Sequence, residues 1–193
     1  MSSEGNNILH HINDRSGFRK WLENNAGNET ECYVAVHKGR PVEGGAFNYL
    51  DAVEEAICFG WIDSTYALVD GTRLQRFTPR RENALWTELN KERARRLEKL
   101  GLMTDAGRKV LPPMGKRSFK MDPEIREILK KNRIWTRFRS FPPLYQRIRI
   151  YNLLFQRERN RQAYEKSLVH LIQETRKGKM YGQWNDYGRL LDY

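Results

Sequence analysis

The chain has 193 residues, a formal net charge of +11 and only two cysteines. This length is enough to bury a core without disulfide support, and two cysteines far apart are not the framework of a small secreted domain. No basic region is followed by a signal-type apolar run, and no apolar stretch approaches the roughly 18 residues of a membrane span. We therefore expect a soluble cytoplasmic protein that favours anionic partners.

The first third of the chain predicts a helix, a strand and a second helix. A helix begins between Asp14 and Gly17, with Ser16 as its expected cap. Alternation of apolar and polar residues over 31–38 predicts a strand. Apolar residues at helical spacing over 49–59 predict a helix that ends at Gly60.

The next two runs, WIDSTYALV and TRLQRFTP, are joined by Asp70-Gly71, a strong signal for a two-residue hairpin. A regular ladder closed by that turn pairs Trp61 with Arg80 and Asp63 with Thr78, and it pairs residue 65 with Arg76. These side chains share one face, so the sequence predicts a carboxylate between two guanidinium groups, beside an indole.

The rest of the chain is predicted to be helical. Helices are expected over 83–100, at Thr104, and from Asp122-Pro123 onward, with one long helical region over about 144–177. The stretch LPPMGKRS reads as a linker. We predict an α+β fold, with a small antiparallel sheet and packed helices over 14–112, an all-helical module over 119–178 and an aromatic tail over 179–193 that docks on its own body.

The stretch ICFGWID raises the question of a reactive thiol at Cys58. That cysteine lies in the last turn of an apolar helix, where the helix dipole disfavours a thiolate, so we interpret it as buried and inert. His10, His11 and Asp14 form only a weak metal pattern. No phosphate-binding glycine loop or nucleophile elbow is present, and we expect no cofactor and no catalytic residues.

The hairpin face is the candidate site. One interpretation is a structural staple, with Arg80 stacked on Trp61 and paired with Asp63. The other is an anion pocket in which Asp63 orients the arginines. The candidate ligand-binding residues are Trp61, Asp63, Arg76, Thr78, Arg80, Arg81, Trp86 and Lys38.

The C-terminal helices supply a second candidate surface, because arginine and lysine are dense after Lys116 and alternate with aromatic residues. Such a face can bind nucleic acid through phosphates. The aromatic residues fall at core spacing, however, which favours a solvated basic face over an apolar core.

Several motifs together resemble a known family. The motifs are YLDAVEEAICFGWID, RFTPRR, LWTELNKERARRLEKLGLMTDAG and, later, DPEIREILKKN. They are similar to the YdeI/OmpD-associated family, also called bacteriocin-protection proteins. The resemblance implies a small bacterial cytoplasmic protein linked to tolerance of bacteriocins or antimicrobial peptides, with no established reaction.

Three hypotheses follow. The first is a non-enzymatic stress or bacteriocin-tolerance protein that binds an anionic small molecule or peptide group on the hairpin face. The second is nucleic-acid binding through the C-terminal basic helices. The third is an enzyme of unknown reaction that uses the hairpin face, although no residue set forms a recognisable base and nucleophile. The sequence leaves the oligomeric state open.

Overall fold

The computed structural model describes residues 7–42, 44–69, 71–115, 118–191 and 193. Within those residues a three-stranded antiparallel sheet is combined with eight α-helices, which confirms the predicted α+β class. The strands are β1 (Cys32–Val34), β2 (Trp61–Val69) and β3 (Thr72–Pro79). The helices are α1 (Arg15–Asn25), α2 (Tyr49–Cys58), α3 (Glu88–Lys99), α4 (Asp105–Lys109), α5 (Pro123–Lys131), α6 (Trp135–Arg139), α7 (Pro143–Arg159) and α8 (Arg161–Arg176).

The chain divides into two compact units. One is Met1–Leu85 with Arg93–Pro112, and the other is Trp86–Glu92 with Pro113–Tyr193. Helix α3 therefore contributes residues to both units. The division of the chain into domains at 14–112 and 119–178 stays a prediction.

Side-chain caps and glycines set the helix ends in the first unit. Asp14, rather than Ser16, caps α1, and its Oδ1 accepts a hydrogen bond from the Gly17 amide at 2.7 Å. Gly60 ends α2 with a φ of +75°. A Cβ atom on Gly107 would lie 2.2 Å from the Cys58 carbonyl oxygen, so α4 packs directly on the end of α2 only because residue 107 has no side chain.

The sheet has the order β1-β3-β2 and packs its inner face on α1 and α2. Phe77 of β3 is fully buried, and its ring centroid lies 5.3 Å from that of Phe18 on α1. Strand β1 is shorter than the predicted run 31–38, because backbone pairing with β3 stops at Val34. The predicted turn residue Asp70 lies outside the described residues, while Gly71 has the positive φ that such a turn needs.

The second unit contains a helical core, but two predicted helices are interrupted. The expected single helix over 144–177 is two helices, because Asn160 adopts an extended conformation and caps α8 by accepting a hydrogen bond from the Ala163 amide. Arg133, with a φ of +56°, separates α5 from α6. The buried side chains include Ile125, Leu129, Phe138, Tyr145, Ile150 and Leu171.

The tail packs on this same core, as predicted. Trp184 and Leu190 are buried there, and the Trp184 ring lies 5.7 Å from Tyr145. The tail forms a short 3₁₀ turn at Asp186–Gly188 rather than the α-helix that its apolar spacing suggested. None of the helices in the described part of the chain has the length and apolar character needed to cross a membrane.

Candidate functional site

Strands β2 and β3 pair in two registers that are separated by an irregularity between Asp63 and Tyr66. Near the turn the pairing is as predicted, with Tyr66 opposite Gln75. Beyond the irregularity it shifts by one residue, so that Asp63 lies opposite Phe77. The regular ladder predicted from the sequence was therefore wrong in this half of the hairpin.

This bulge determines which side chains meet. Directly paired residues point to the same face of a sheet, and Phe77 and Gln75 share a face because they are two residues apart on β3. Asp63 and Tyr66, three residues apart on β2, therefore point to the same side. In a regular strand they would point to opposite sides.

Side chains from three segments converge around Asp63 and Tyr66. The Tyr49 hydroxyl donates a hydrogen bond of 2.6 Å to Asp63 Oδ2. Lys38 Nζ lies 4.8 Å from the centroid of the Tyr49 ring and 4.5 Å from that of the Tyr66 ring. Arg73 Cζ lies 4.0 Å from the Tyr66 centroid. We call Lys38, Tyr49, Asp63, Tyr66 and Arg73 the hairpin cluster.

The start of helix α2 holds Lys38 in position. The His37 amide donates to the Phe47 carbonyl at 2.8 Å, and the Tyr49 amide donates to the His37 carbonyl at 2.9 Å. The Asn48 side-chain amide donates to the Gly39 carbonyl at 3.2 Å. These backbone ties place Lys38 beside the first residue of the helix, although eleven positions separate them along the chain.

The cluster carries excess positive charge. The cluster contains one carboxylate, Asp63, and two cations, Lys38 and Arg73, and Asp63 attracts the guanidinium of Arg80. Burial lowers the pKa of Arg80 to about 10, with the attraction of Asp63 opposing that shift, so Arg80 stays charged at neutral pH. The positive charge of Arg93 also acts on the Tyr49 hydroxyl.

Two tyrosine hydroxyl groups lie in the cluster. Burial and the nearby Asp63 raise the pKa of Tyr49, so its hydroxyl stays protonated and bound to the carboxylate. The Tyr66 hydroxyl is buried and has no hydrogen-bond partner among the described residues. Buried polar groups are normally satisfied, so this hydroxyl marks the cluster as a place where a further polar group fits.

Several predicted site residues lie elsewhere. Arg76 and Thr78 occupy the opposite face of β3, where Arg76 pairs with Glu31 at 2.6 Å. This pair raises the pKa of Arg76, chiefly through its hydrogen bond. The prediction that Arg76 flanks Asp63 was wrong, because the one-residue shift turns Phe77 rather than Arg76 toward that side.

The two predicted tryptophans are buried. Trp61 donates from Nε1 to the Ala26 carbonyl at 3.3 Å and packs edge-on against Trp21. Trp86 is buried and belongs to the second unit, whereas Arg81 is exposed. Of the predicted residues, Lys38 and Asp63 belong to the hairpin cluster, and Arg80 interacts with Asp63 through its charge.

The residues that the sequence reasoning missed are Tyr49, Tyr66, Arg73 and Arg93. Tyr49 was read only as a helix start, and Tyr66 was placed on the wrong face. The residues at the bulge are Ser64 and Thr65, two consecutive polar residues that are both exposed in the structure. Arg93 lies on α3 and acts on Tyr49 only because of how that helix packs, which no local sequence pattern indicates.

Cys58 is buried, as we predicted, and its lack of reactivity stays a prediction. It is fully buried, and burial together with Glu55 raises its pKa to about 12 against the opposing charge of Arg19. In the described part of the chain, no group of three or more histidine, cysteine, aspartate or glutamate side chains is arranged to hold a metal ion.

Many basic side chains of the second unit contact a nearby carboxylate or aromatic ring. Arg147 lies 2.7 Å from Glu92, and Arg157 bonds Asp122 at 3.0 Å. Further basic side chains are paired with a carboxylate or lie over an aromatic ring, namely Lys130, Arg139, Arg159 and Arg161. Ion pairing thus offsets part of this positive charge, while the arginines that lie over aromatic rings keep theirs.

Comparison with known proteins places the chain in a family. No curated protein and no solved structure matches it. A family model described as "Domain of unknown function (DUF8412)" matches residues 10–110, just over half of the chain and the whole hairpin cluster. This description does not bear on the resemblance to YdeI/OmpD-associated proteins, which stays a prediction. The chain belongs to the DUF8412 family.

Proposed function

We propose that the protein is a non-enzymatic binding protein whose hairpin cluster holds an anionic small molecule or an acidic peptide group. The observation that carries this proposal is the way Lys38 and Arg73 lie against aromatic rings instead of carboxylates. A ring face attracts a cation but does not neutralise it, so the ammonium and guanidinium N–H groups remain available to an anion.

The charge balance supports the same proposal. Asp63 is the one carboxylate of the hairpin cluster, and it already accepts a hydrogen bond from Tyr49. A purely structural staple would match each cation with an acidic partner, as Arg76 is matched with Glu31. The remaining positive charge and the buried Tyr66 hydroxyl fit a ligand that carries acceptor oxygens.

The first test is native mass spectrometry of the gently purified protein at low salt, followed by calorimetric titration with citrate. We expect Arg73→Gln to weaken anion binding about tenfold, because a charge-assisted hydrogen bond contributes about 1.5–3 kcal/mol. Arg76→Gln is the matched control on the same strand, and we expect it to leave affinity unchanged. Equal weakening by both variants, or no binding of citrate, would refute the proposal.

We further propose a role in bacterial stress or bacteriocin tolerance and a cytoplasmic location. Both rest on the family resemblance. The test is the survival of a bacterial strain that lacks the protein and is exposed to a bacteriocin. Re-expression of the natural chain should restore survival, and re-expression of the Arg73→Gln variant should not. Equal survival with and without the protein would remove this role and leave anion binding to be judged by titration.

Nucleic-acid binding by the C-terminal helices is a second proposal, favoured by the density of arginine after Lys116. Phosphate contacts make such binding fall steeply with salt. The measurement is a gel-shift titration with duplex DNA and with RNA at two salt concentrations. Absent binding at low salt, or binding that salt does not change, would remove this proposal.

A further inference from the structure

A cleft of about 230 Å³ lies within the second unit, between α7, α8 and the chain that follows α8. It is separate from the hairpin cluster, which belongs to the first unit. None of the side chains that line it is acidic. The polar residues that face it include Arg149, Gln156, Lys166, Ser167, His170 and Tyr181.

Arg149 is held in the cleft by aromatic side chains and by a glycine. Its Cζ lies 4.4 Å from the Tyr181 ring centroid and 5.2 Å from that of Tyr145. Gly182 has a φ of +71°, and a Cβ atom there would lie 2.9 Å from Arg149 Nη2. The tail therefore passes close to the guanidinium without displacing it, which restricts the directions in which its N–H groups point.

Two buried polar atoms in the cleft have no hydrogen-bond partner among the described residues. They are the donor Arg149 Nε and the acceptor Gln156 Oε1. Most buried polar atoms in folded proteins are hydrogen-bonded, so a donor and an acceptor left together indicate a ligand with both kinds of group. The His170 ring lies 4.3 Å from the Tyr181 ring and adds a further nitrogen donor at the rim.

We propose that this cleft binds a small phosphate monoester that carries a hydroxyl group. Arg149 and Lys166 match the charge of a phosphate dianion, and a planar guanidinium suits its oxygens. A ligand hydroxyl donates to Gln156 Oε1. The volume is below the roughly 300–1,000 Å³ of pockets for drug-sized ligands, so the ligand is a small metabolite.

The test is calorimetric titration of the full chain with glycerol 3-phosphate at low ionic strength. Lys166→Gln removes one charge at an exposed position of the cleft and is expected to weaken binding at least about tenfold. Lys131→Gln removes the same charge from an exposed position on α5 and is expected to change affinity by less than about twofold. Equal weakening by the two variants would overturn the proposal, because it would show general charge attraction only.

A second variant tests the hydroxyl. Gln156→Leu is expected to weaken glycerol 3-phosphate binding several-fold and to leave inorganic phosphate binding unchanged. If both ligands lose affinity equally, or if glycerol 3-phosphate does not bind the natural chain at millimolar concentration, the assignment is wrong. Arg73→Gln in the hairpin cluster should not alter this binding, so the result is distinguishable from that of the proposed function.

Discussion

Helix α2 takes part in two charged clusters of the first unit, and the two are balanced differently. Within that helix Glu54 and Glu55 are buried, and each of their four carboxylate oxygens bonds an arginine at 2.6–2.9 Å. We call these two glutamates and their partners Arg15, Arg19 and Arg96 the α2 ion network. At the start of the same helix, the hairpin cluster sets two cations against aromatic rings and one carboxylate.

This difference in charge balance is what we expect between a cluster that stabilises the fold and a cluster that binds a ligand. In the α2 ion network, burial opposes the charge of Arg15, but attraction to Glu54 and Glu55 outweighs it and raises the pKa of the guanidinium. Each carboxylate oxygen of the network already bonds an arginine, so its charges are balanced within the fold and little net charge remains to attract a ligand. The hairpin cluster keeps cationic donors at the surface, and its contribution to stability is correspondingly small.

The largest expected effect comes from opening the α2 ion network. Glu54→Gln removes a buried charge that holds Arg15 and Arg96, and breaking a buried ion pair typically costs about 3 kcal/mol or more. Urea unfolding should show a loss of about that size. Glu98→Gln, at the half-exposed pair with Arg108, should cost less than about 1 kcal/mol. A loss of less than about 1 kcal/mol for Glu54→Gln would contradict the stabilising role of the α2 ion network.

A smaller loss is expected in the hairpin cluster. Tyr49→Phe removes the donor to Asp63 and should lower the unfolding free energy by about 1 kcal/mol. Tyr33→Phe is the matched control, because its hydroxyl lies 3.4 Å from Glu31 and makes only a weak bond. Denaturant unfolding of the two variants measures the difference. Equal losses would show that the Tyr49–Asp63 bond adds nothing particular.

Lys38→Met should separate stability from binding. Methionine is an unbranched side chain of similar length that lacks the exposed charge, so we expect a stability change below about 0.5 kcal/mol. Citrate affinity should fall about tenfold in calorimetric titration. Lys20→Met, an exposed lysine on α1, should change neither quantity. A large loss of stability for Lys38→Met would make the hairpin cluster a structural staple after all.

The smallest expected effect concerns the two thiols. Both are buried, and burial raises the pKa of Cys32 and Cys58, so neither should react with a disulfide reagent in the native protein at pH 8. Both should react once the chain is unfolded in urea. Because the folded pKa of Cys58 is about 12 and its ordinary value is 9.0, its contribution to stability is complete below pH 9 and is lost between pH 9 and pH 12. Rapid reaction of the native protein would contradict its burial.

Sequence reasoning succeeded where the determining interactions are local. Thr104 caps α4 and Asp122 caps α5, as the residue types predict, because each side chain bonds an amide three positions away. The candidate site was predicted only in part. Lys38, Asp63 and Arg80 were identified from charge on the hairpin, but Tyr49 and Arg93 reach the site through helix packing that no local pattern reports.

The sequence by itself determined the caps of α4 and α5, the hairpin position, the α+β class and the burial of Cys58, because each follows from propensity, spacing or hydrophobicity within a short stretch. Only the tertiary structure decided that the hairpin contains a bulge between Asp63 and Tyr66. A one-residue shift in pairing reverses the face of every side chain beyond it. That shift puts Asp63 on the same face as Tyr66 and Arg73, and it separates Asp63 from Arg76, which pairs with Glu31 on the opposite face.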